Sequence, residues 1–232
     1  MDDVRAVAVE RLELRFAPRA WGFSAERRAD IDTYFAAIKR AQPALWNGRV
    51  MLLYQWALVD GRFTGAYFDT DFASMIAWRD WGFPDPLVRN CFAQGALRSA
   101  DGAFLLGVMG AHTANAGKIY FPSGTPDLDD VIGDAVDLDG SVMRELTEET
   151  GLGAGDVRPA SGWHAVFAGP RIGMMKILQS AEPATALRIR ILAFLAQQAT
   201  PELADVRIVR SSADYDPMMP SFITTFLDEM WK

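Results

Sequence analysis

Apolar and polar residues in the first part of the chain follow strand and helix periods in turn. Alternating apolar positions predict a strand, and apolar residues three or four positions apart predict one face of a helix. Ser24 is a suitable N-cap for the first helix, and Asp60-Gly61 between two apolar segments indicates a β-hairpin turn. The predicted elements are a strand over 4–16, a helix from Ser24 to Pro43, a hairpin of strands over 49–59 and 62–68, and a helix over 69–81.

The second part of the chain begins after a break in this pattern. Gly82 and Pro84-Asp85-Pro86 form the clearest linker, so we predict an N-terminal extension over 1–87 and a main domain over 88–232. Because the linker is short, we expect the extension to pack on the main domain. The later elements are strands over 91–98, 103–109, 118–121, 163–168, 174–178 and 206–209, and helices from 137–141 to Gly151, over 184–197 and over 221–231. This mixture, with antiparallel hairpins, indicates an α+β fold or a mixed-sheet α/β sandwich.

The composition argues against several classes of protein. Half of the 232 residues are hydrophobic, which is enough for a substantial core, and the formal net charge of −7 argues against binding to duplex nucleic acid. No apolar run approaches the roughly 18 residues of a membrane span, and the N-terminus lacks the order of a signal peptide. The single cysteine, Cys91, cannot form an internal disulfide, so we expect a soluble, cytoplasmic protein.

Residues 144–152 read Arg-Glu-Leu-Thr-Glu-Glu-Thr-Gly-Leu and concentrate negative charge on one helix face. Glu145, Glu148 and Glu149 occupy positions i, i+3 and i+4, which share that face. Carboxylates this close repel one another and weaken the helix unless a cation lies in front of them. Oxygen-only ligands of this kind suit Mg²⁺, which binds a few carboxylates together with substrate phosphates.

This stretch resembles the second half of the Nudix hydrolase signature, Arg-Glu-aliphatic-x-Glu-Glu-x-Gly-aliphatic, at all nine positions. The resemblance covers roughly residues 88–231 and implies a Nudix-type α/β/α sandwich with a mixed β-sheet, preceded by an N-terminal α/β extension. It also implies Mg²⁺ or Mn²⁺ and a metal-assisted attack of water on phosphorus, which cleaves a diphosphate linkage in a nucleoside diphosphate joined to a moiety X. The partner is then a small-molecule nucleotide, and a homodimer stays open because dimers are common in that family.

Carried over to this chain, the resemblance assigns roles to the residues of the motif. The three glutamates should ligate the metal, and Glu145 is also the candidate base. The backbone of Ser123 or Gly124 should add a carbonyl ligand. Arg144 should pair with one glutamate and hold its rotamer, although an ordinary i,i+4 pair with Glu148 accounts for this arginine as well.

The first half of the signature departs from the family pattern. Val136 stands where a glutamate is expected, and Asp130 stands where a glycine is expected. An alternative alignment sets Pro122-Ser123-Gly124 on the family's usual Pro-Gly-Gly, with a longer loop before the helix. Five aspartates then become candidates to replace the missing carboxylate, namely Asp127, Asp129, Asp130, Asp134 and Asp137.

Charged residues and a histidine outside the motif are candidates for contacts with the substrate. They are Asp127, Glu182, Arg171 and His112, with Glu202 behind Glu182 and Lys176 beside Arg171. A charge favoured at a helix start explains Glu182 as well, and solvated surface charge explains Arg171 and Lys176. His164 lies in an apolar strand pattern and is expected in the core.

Residues 1–87 are the expected source of substrate choice, because the hydrolytic motif does not select X. Leu45-Trp46-Asn47-Gly48 faintly resembles the N-terminal part of Nudix proteins that hydrolyse UDP-sugars, which makes X a nucleotide sugar in one interpretation. A CoA or dinucleotide pyrophosphatase is the alternative within the family. A catalytically silent Nudix-fold sensor that binds a nucleotide is the alternative from another class, and the altered first half of the motif motivates it.

Overall fold

The computed structural model describes residues 4–232, which form helices, strands and two short 3₁₀ turns. The strands are β1 (Arg5–Val9), β2 (Arg11–Phe16), β3 (Arg49–Val59), β4 (Arg62–Asp71), β5 (Asn90–Arg98), β6 (Phe104–Met109), β7 (Ile119–Tyr120), β8 (Ser123–Gly124), β9 (Val131–Ile132), β10 (Ala135–Val136), β11 (Val157–Pro159), β12 (Trp163–Ala168), β13 (Arg171–Ser180) and β14 (Leu203–Val209). The helices are α1 (Gly22–Glu26), α2 (Arg28–Ala41), α3 (Phe72–Asp80), α4 (Leu138–Thr150), α5 (Ala184–Leu195) and α6 (Ser221–Met230), and the 3₁₀ turns are Leu128–Asp130 and Ser212–Asp214.

A nine-stranded mixed sheet forms the centre of the molecule. Its main order is β1-β12-β13-β5-β6-β14, in which β5 and β13 are parallel and the other neighbours are antiparallel. Successive residues of a strand point to opposite faces, so β5 presents Gly95 to one face and Phe92 to the other. Gly95 lies beneath Val142 of α4, whereas the ring of Phe92 packs 5.4 Å from that of Phe222 of α6. Helices therefore cover both faces, and the predicted α/β sandwich with a mixed sheet is confirmed.

A second, five-stranded sheet has the order β3-β4-β2-β10-β9. The predicted hairpin of β3 and β4 is present, and its turn residues Asp60 and Gly61 have φ angles of 48° and 73°, which suit Asp-Gly. Two exchanges link this sheet to the larger one, since β1 joins the nine-stranded sheet while β9 and β10 return to the five-stranded sheet. The division into 1–87 and 88–232 stays a prediction.

Two predicted elements of the N-terminal part are wrong in detail. The strand over 4–16 is two strands in different sheets, because the amides of Glu10 and Arg11 both donate to the carbonyl of Gly61 and interrupt the ladder. Ser24 does not cap a helix: it lies inside α1, and its hydroxyl is hydrogen-bonded to that of Ser74 at 2.8 Å. Alternation of apolar residues does not reveal which sheet a strand joins.

Large apolar side chains from both sheets and most helices form the main core. Cys91 is fully buried there, and burial raises the pKa of its thiol to about 12, as expected for a packing residue. His164 is partly buried and packs its ring against Phe226, at 5.6 Å between centroids. No helix within residues 4–232 combines the length and apolarity that crossing a bilayer requires.

Candidate metal and substrate site

Helix α4 carries the glutamates, and its sequence fixes both ends. The carboxylate of Asp137 accepts a hydrogen bond from the amide of Gly140 at 3.0 Å, and Gly151 ends the helix with a φ of 71°. The buried stripe of α4 runs through Leu138, Val142 and Leu146 at helical spacing. Glu149 follows three residues after Leu146, so the helix period places a carboxylate where the core would take an apolar side chain.

Glu149 is 4% exposed, and only one of its two carboxylate oxygens is satisfied. The amide of Ser123 donates to Oε1 at 3.0 Å, which ties α4 to the loop containing β8. Oε2 is buried and has no hydrogen-bond partner in the part of the chain that the structure describes. Burial raises the pKa of Glu149 well above its ordinary value, and the charges of the neighbouring glutamates raise it further. A cation at Oε2 would remove this cost.

Glu145 lies against Gly124, the neighbour of Ser123 in the same loop. A Cβ atom at Gly124 would overlap the carboxylate of Glu145, so only glycine allows this approach. Burial raises the pKa of Glu145 to about 7. The positive charge of Arg144 lowers this pKa, and the charges of Glu148 and Glu202 raise it. The loop Ser123–Gly124 thus contacts two glutamates of the motif, whereas its predicted role as a carbonyl ligand of a metal stays a prediction.

Glu148 differs from the other two glutamates because its side chain is exposed. Its charge nevertheless raises the pKa of Glu145 and of Glu149, and the same holds for Glu202. Within residues 4–232, no three His, Cys, Asp or Glu side chains form a group that could hold a metal ion as they stand. The carboxylates are neighbours without being assembled into a complete set of ligands.

Arg144 forms its main ion pair with Asp130, and not with a glutamate. Its Nη1 donates to Oδ1 of Asp130 at 2.6 Å, whereas its Nη2 lies 3.6 Å from Oε1 of Glu145. Asp130 is 3% exposed and also accepts from the hydroxyl of Ser141 and the amide of Asp127. The hydrogen bond from Arg144 to Asp130 is the chief reason that the pKa of Arg144 lies above its ordinary value. No ion pair joins Arg144 to Glu148 among the described residues, so the i,i+4 explanation is wrong.

The other aspartates of the loop have structural roles or none. Asp127 caps the 3₁₀ turn and accepts from the amide of Asp129 at 2.8 Å, so its carboxylate is engaged in the loop. Asp137 caps α4, while Asp129 and Asp134 are exposed. Asp130 is therefore the one of the five candidates whose carboxylate contacts the motif, through Arg144.

A cleft of about 1160 Å³ opens between the first part of the chain and the large sheet. Of the residues predicted for substrate contacts, Arg171 and His112 line it, together with Glu145 and Gly124 of the motif. Glu202 also lines it, and its carbonyl accepts from the amide of Gly110 at 2.8 Å. Burial raises the pKa of Glu202, and the nearby His112 opposes this change.

Three predicted residues do not line the cleft, and the first is Asp127, whose carboxylate caps the 3₁₀ turn. Glu182 forms an ion pair with Arg190, whose guanidinium also contacts Asp156, and this network lies at the start of α5. Lys176 is paired with Asp139 at 2.9 Å and packs over the ring of Trp163. For the further carboxylate, the geometry therefore favours Glu202 over Glu182. The spacing of the motif contains no signal for either residue, because both come from distant segments.

Sequence reasoning missed several polar residues of the cleft, of which Gln94 is the clearest. Gln94 is 1% exposed, lies in β5 opposite Ser123, and its Oε1 has no partner within the described residues. Asn90, at the start of β5, likewise has an unpartnered Oδ1 and lines the same cleft. The available signal was Gln94 itself, the one polar side chain between Cys91 and Leu97.

The chain is similar to solved structures of known proteins, whereas its sequence has no comparable match. The chain matches no protein-family model and no curated protein sequence. A Nudix hydrolase from M. smegmatis, RenU, is 17% identical, with 61% of this chain and 81% of that chain covered and a TM-score of 0.37. The MutT protein from Methanosarcina mazei Go1 is 17% identical, with 61% and 92% covered and a TM-score of 0.41. The pyrophosphohydrolase BsRppH of Bacillus subtilis is 12% identical, with 81% and 94% covered and a TM-score of 0.38. Solved Nudix hydrolases are thus among the structures to which this chain is similar.

Proposed function

We propose that the protein is a Nudix-type hydrolase that cleaves the diphosphate linkage of a nucleoside diphosphate joined to a moiety X. The observation that carries the proposal is the pair of glutamates, Glu149 buried and Glu145 partly buried, that contact the loop Ser123–Gly124 beside a large cleft. The cleft is large enough for a nucleotide, since sites for small molecules commonly span about 300–1,000 Å³. The match of residues 144–152 to the second half of the Nudix signature supports the same reaction.

The donors of this site fit a hard divalent cation, Mg²⁺ or Mn²⁺. Oε2 of Glu149 is a buried oxygen without a partner among the described residues. Glu145 is a partly buried carboxylate whose charge raises the pKa of Glu149. These two glutamates, Glu148 and a carbonyl of Ser123 or Gly124 would hold the ion, and Glu148 would have to turn toward the others to join them. When bound, such an ion neutralises charge on the phosphate oxygens and lowers the pKa of water.

The side chains of this protein would then orient the reactants and move one proton. Water attacks a phosphorus atom of the diphosphate, its proton passes to a carboxylate, and the bond from phosphorus to the bridging oxygen breaks. Glu145 is the candidate for this carboxylate where it does not itself ligate the metal, because burial raises its pKa and so its affinity for a proton. Arg144 is held by the buried Asp130 and lies beside the carboxylate of Glu145, so it would limit the rotation of the Glu145 side chain.

The test is hydrolysis of a nucleotide panel by the purified protein with Mg²⁺ or Mn²⁺. The panel contains UDP-sugars, ADP-ribose, NADH, CoA and dinucleoside polyphosphates, and the readout is release of a phosphorylated product. We expect turnover of at least one substrate and its loss by about 100-fold or more in Glu149→Gln and Glu145→Gln, since even partners of metal ligands contribute 10–100-fold. Glu182→Gln is the matched control outside the cleft and should keep its activity. Turnover that survives Glu149→Gln would contradict the proposal.

A second candidate function is a silent sensor that binds a nucleotide without cleaving it. Two observations favour it: Val136 replaces the glutamate expected in the first half of the signature, and the carboxylates are not assembled into a group that holds a metal. The sensor predicts tight binding of one member of the panel, by calorimetry, with no product released. The hydrolase predicts product from the ligand that binds best.

A further inference from the structure

The cleft contains a second charged region of the opposite sign, which begins with Arg171. This residue opens β13, is partly buried, and lines the cleft. Its guanidinium lies 5.7 Å from the ring of Phe83, but within residues 4–232 no hydrogen bond or ion pair engages it. Removing a guanidinium from part of its water costs free energy when no anion replaces the water. The described residues do not offset this cost for Arg171.

Arg79 of α3 is a second positive charge at the same place. It lines the cleft, and its charge adds to burial in lowering the pKa of Arg171. The acidic neighbour Asp80 does not neutralise both arginines, because one of its oxygens accepts from Nε of Arg79 and the other from the hydroxyl of Tyr34. Two arginines that line one cleft and repel each other without sharing a carboxylate form a site that an anion would stabilise.

Strand β5 shows how far this region lies from the glutamates. Arg171 stands opposite Asn90 at the start of β5, and Ser123 stands opposite Gln94, four residues further along. At 3.3 Å per residue, the two positions are separated by roughly 13 Å. A diphosphate held at Glu145 and Glu149 would therefore not reach Arg171 itself, and another group of the same substrate would.

The side chains between the two ends have unpartnered acceptors. Asn90, Phe92 and Gln94 alternate onto one face of β5, the face that lines the cleft. The carbonyl oxygens Oδ1 of Asn90 and Oε1 of Gln94 are buried and have no donor in the described part of the chain. Hydroxyl groups of a ligand would supply those donors, because a buried acceptor without a partner costs free energy.

We infer that Arg171 and Arg79 form an anion-binding subsite that selects substrates whose moiety X is hydroxylated and carries its own negative charge. The inference rests on the proposed function for the position of the diphosphate. The charge on X is a carboxylate or a phosphate, since arginine binds both through paired hydrogen bonds. Residues 1–87 supply Arg79 and thus one of the two charges, which gives the first part of the chain a role in substrate choice.

Two matched ligand pairs test the subsite. UDP-glucose and UDP-glucuronate differ by a carboxylate on X, and NADH and NADPH differ by a phosphate. Binding is measured by calorimetry with Mg²⁺ in a Glu145→Gln background, in which turnover is expected to be at least about 100-fold slower, and hydrolysis is measured separately in the protein that keeps Glu145. We expect the more negative member of one pair to bind about tenfold more tightly, because hydrogen bonds between charged groups are roughly twice as strong as neutral ones. The pair with the preference identifies the carboxylate or the phosphate as the recognised group.

The variants Arg171→Gln and Arg79→Gln should bring the ratio of the two affinities close to one while leaving the affinity for the less negative member within about twofold. Arg158→Gln removes an exposed arginine of β11, outside the cleft, and should leave the preference unchanged. Equal affinity within both pairs, a preference that survives Arg171→Gln, or no binding of any of the four ligands would overturn the inference. If a nucleotide is hydrolysed but neither pair shows a preference, the proposed function holds and the subsite does not. If one pair shows a preference but no nucleotide is hydrolysed, the subsite holds and the proposed function does not.

Discussion

Two acidic segments lie next to each other in this chain, and their buried carboxylates differ in how fully the protein supplies them with hydrogen bonds. Residues 127–139 contain six aspartates, and residues 145–149 contain three glutamates. In the aspartate segment the buried carboxylate, Asp130, accepts from three groups of the protein. In the glutamate segment the buried carboxylate, Glu149, accepts from one backbone amide, and its other oxygen has no partner within residues 4–232.

The difference teaches that the density of acidic residues does not locate a site, whereas the absence of internal partners does. Asp127 caps the 3₁₀ turn, Asp137 caps α4, and Asp130 forms an ion pair with Arg144. These three carboxylates therefore stabilise the loop and the start of α4. Glu145 and Glu149 have raised pKa values because burial and repulsion from nearby carboxylates are not compensated within the described chain. We therefore expect substitutions of Asp130 and Asp137 to change the free energy of unfolding, and substitutions of Glu145 and Glu149 to change hydrolysis.

The largest expected effect is that of Glu149→Gln on hydrolysis. The glutamine keeps an acceptor for the amide of Ser123 but removes the charge, so turnover of the best substrate should fall about 100-fold or more. The free energy of unfolding should change by less than about 1 kcal/mol, because relief of repulsion offsets a buried amide without an acceptor. Steady-state kinetics and urea denaturation measure the two quantities. A large loss of stability would place Glu149 in the same class as the aspartates.

The next effect is that of Asp130→Asn on stability. This change preserves shape but leaves the partly buried Arg144 without its main partner, so unfolding should become easier by about 2 kcal/mol. Hydrolysis should fall only about tenfold, through the looser position of Arg144 beside Glu145. Urea denaturation checks the first value. The neighbouring Asp129→Asn, at an exposed position, is the matched control and should change stability by less than about 0.5 kcal/mol. Equal effects of the two substitutions would show that the pair with Arg144 contributes little.

A smaller effect is expected at the start of α4. Asp137→Ala removes the carboxylate that accepts from the amide of Gly140, and loss of such an N-cap typically costs about 1 kcal/mol. Thermal or urea denaturation measures it, with hydrolysis unchanged apart from the fraction folded. Asp134→Ala, an exposed aspartate of the same loop, should be neutral. A loss of activity in Asp137→Ala beyond its loss of stability would mean that the aspartate segment takes part in the chemistry.

Much of the fold was predictable because periodicity and turn residues are local signals. The hairpin at Asp60-Gly61, the end of α4 at Gly151 and the strand of residues 163–168 agree with their predictions. The interruption at Glu10 was not predictable, because it depends on the carbonyl of Gly61, some fifty residues away in the sequence and in another strand pair. Sequence patterns describe which face of a strand is apolar and not which strand lies beside it.

The candidate site divides in the same way. The three glutamates and the loop Ser123–Gly124 follow from a contiguous motif, whereas the choice of Asp130 among five aspartates required the position of Arg144 in space. Arg79 was missed for a related reason, since it reaches the cleft from a distant segment and carries no spacing signal. Contacts between segments depend on packing, which a single sequence does not specify locally.

Titration of Mn²⁺ into the protein and two variants, followed by calorimetry, tests the central claim most directly. The account predicts that the unsubstituted protein binds the ion, that Glu149→Gln weakens binding at least about tenfold, and that Asp130→Asn leaves it nearly unchanged in the folded protein. Equal affinity of the unsubstituted protein and Glu149→Gln, or a loss confined to Asp130→Asn, would contradict the claim that the glutamates of α4, and not the aspartates before them, hold the metal.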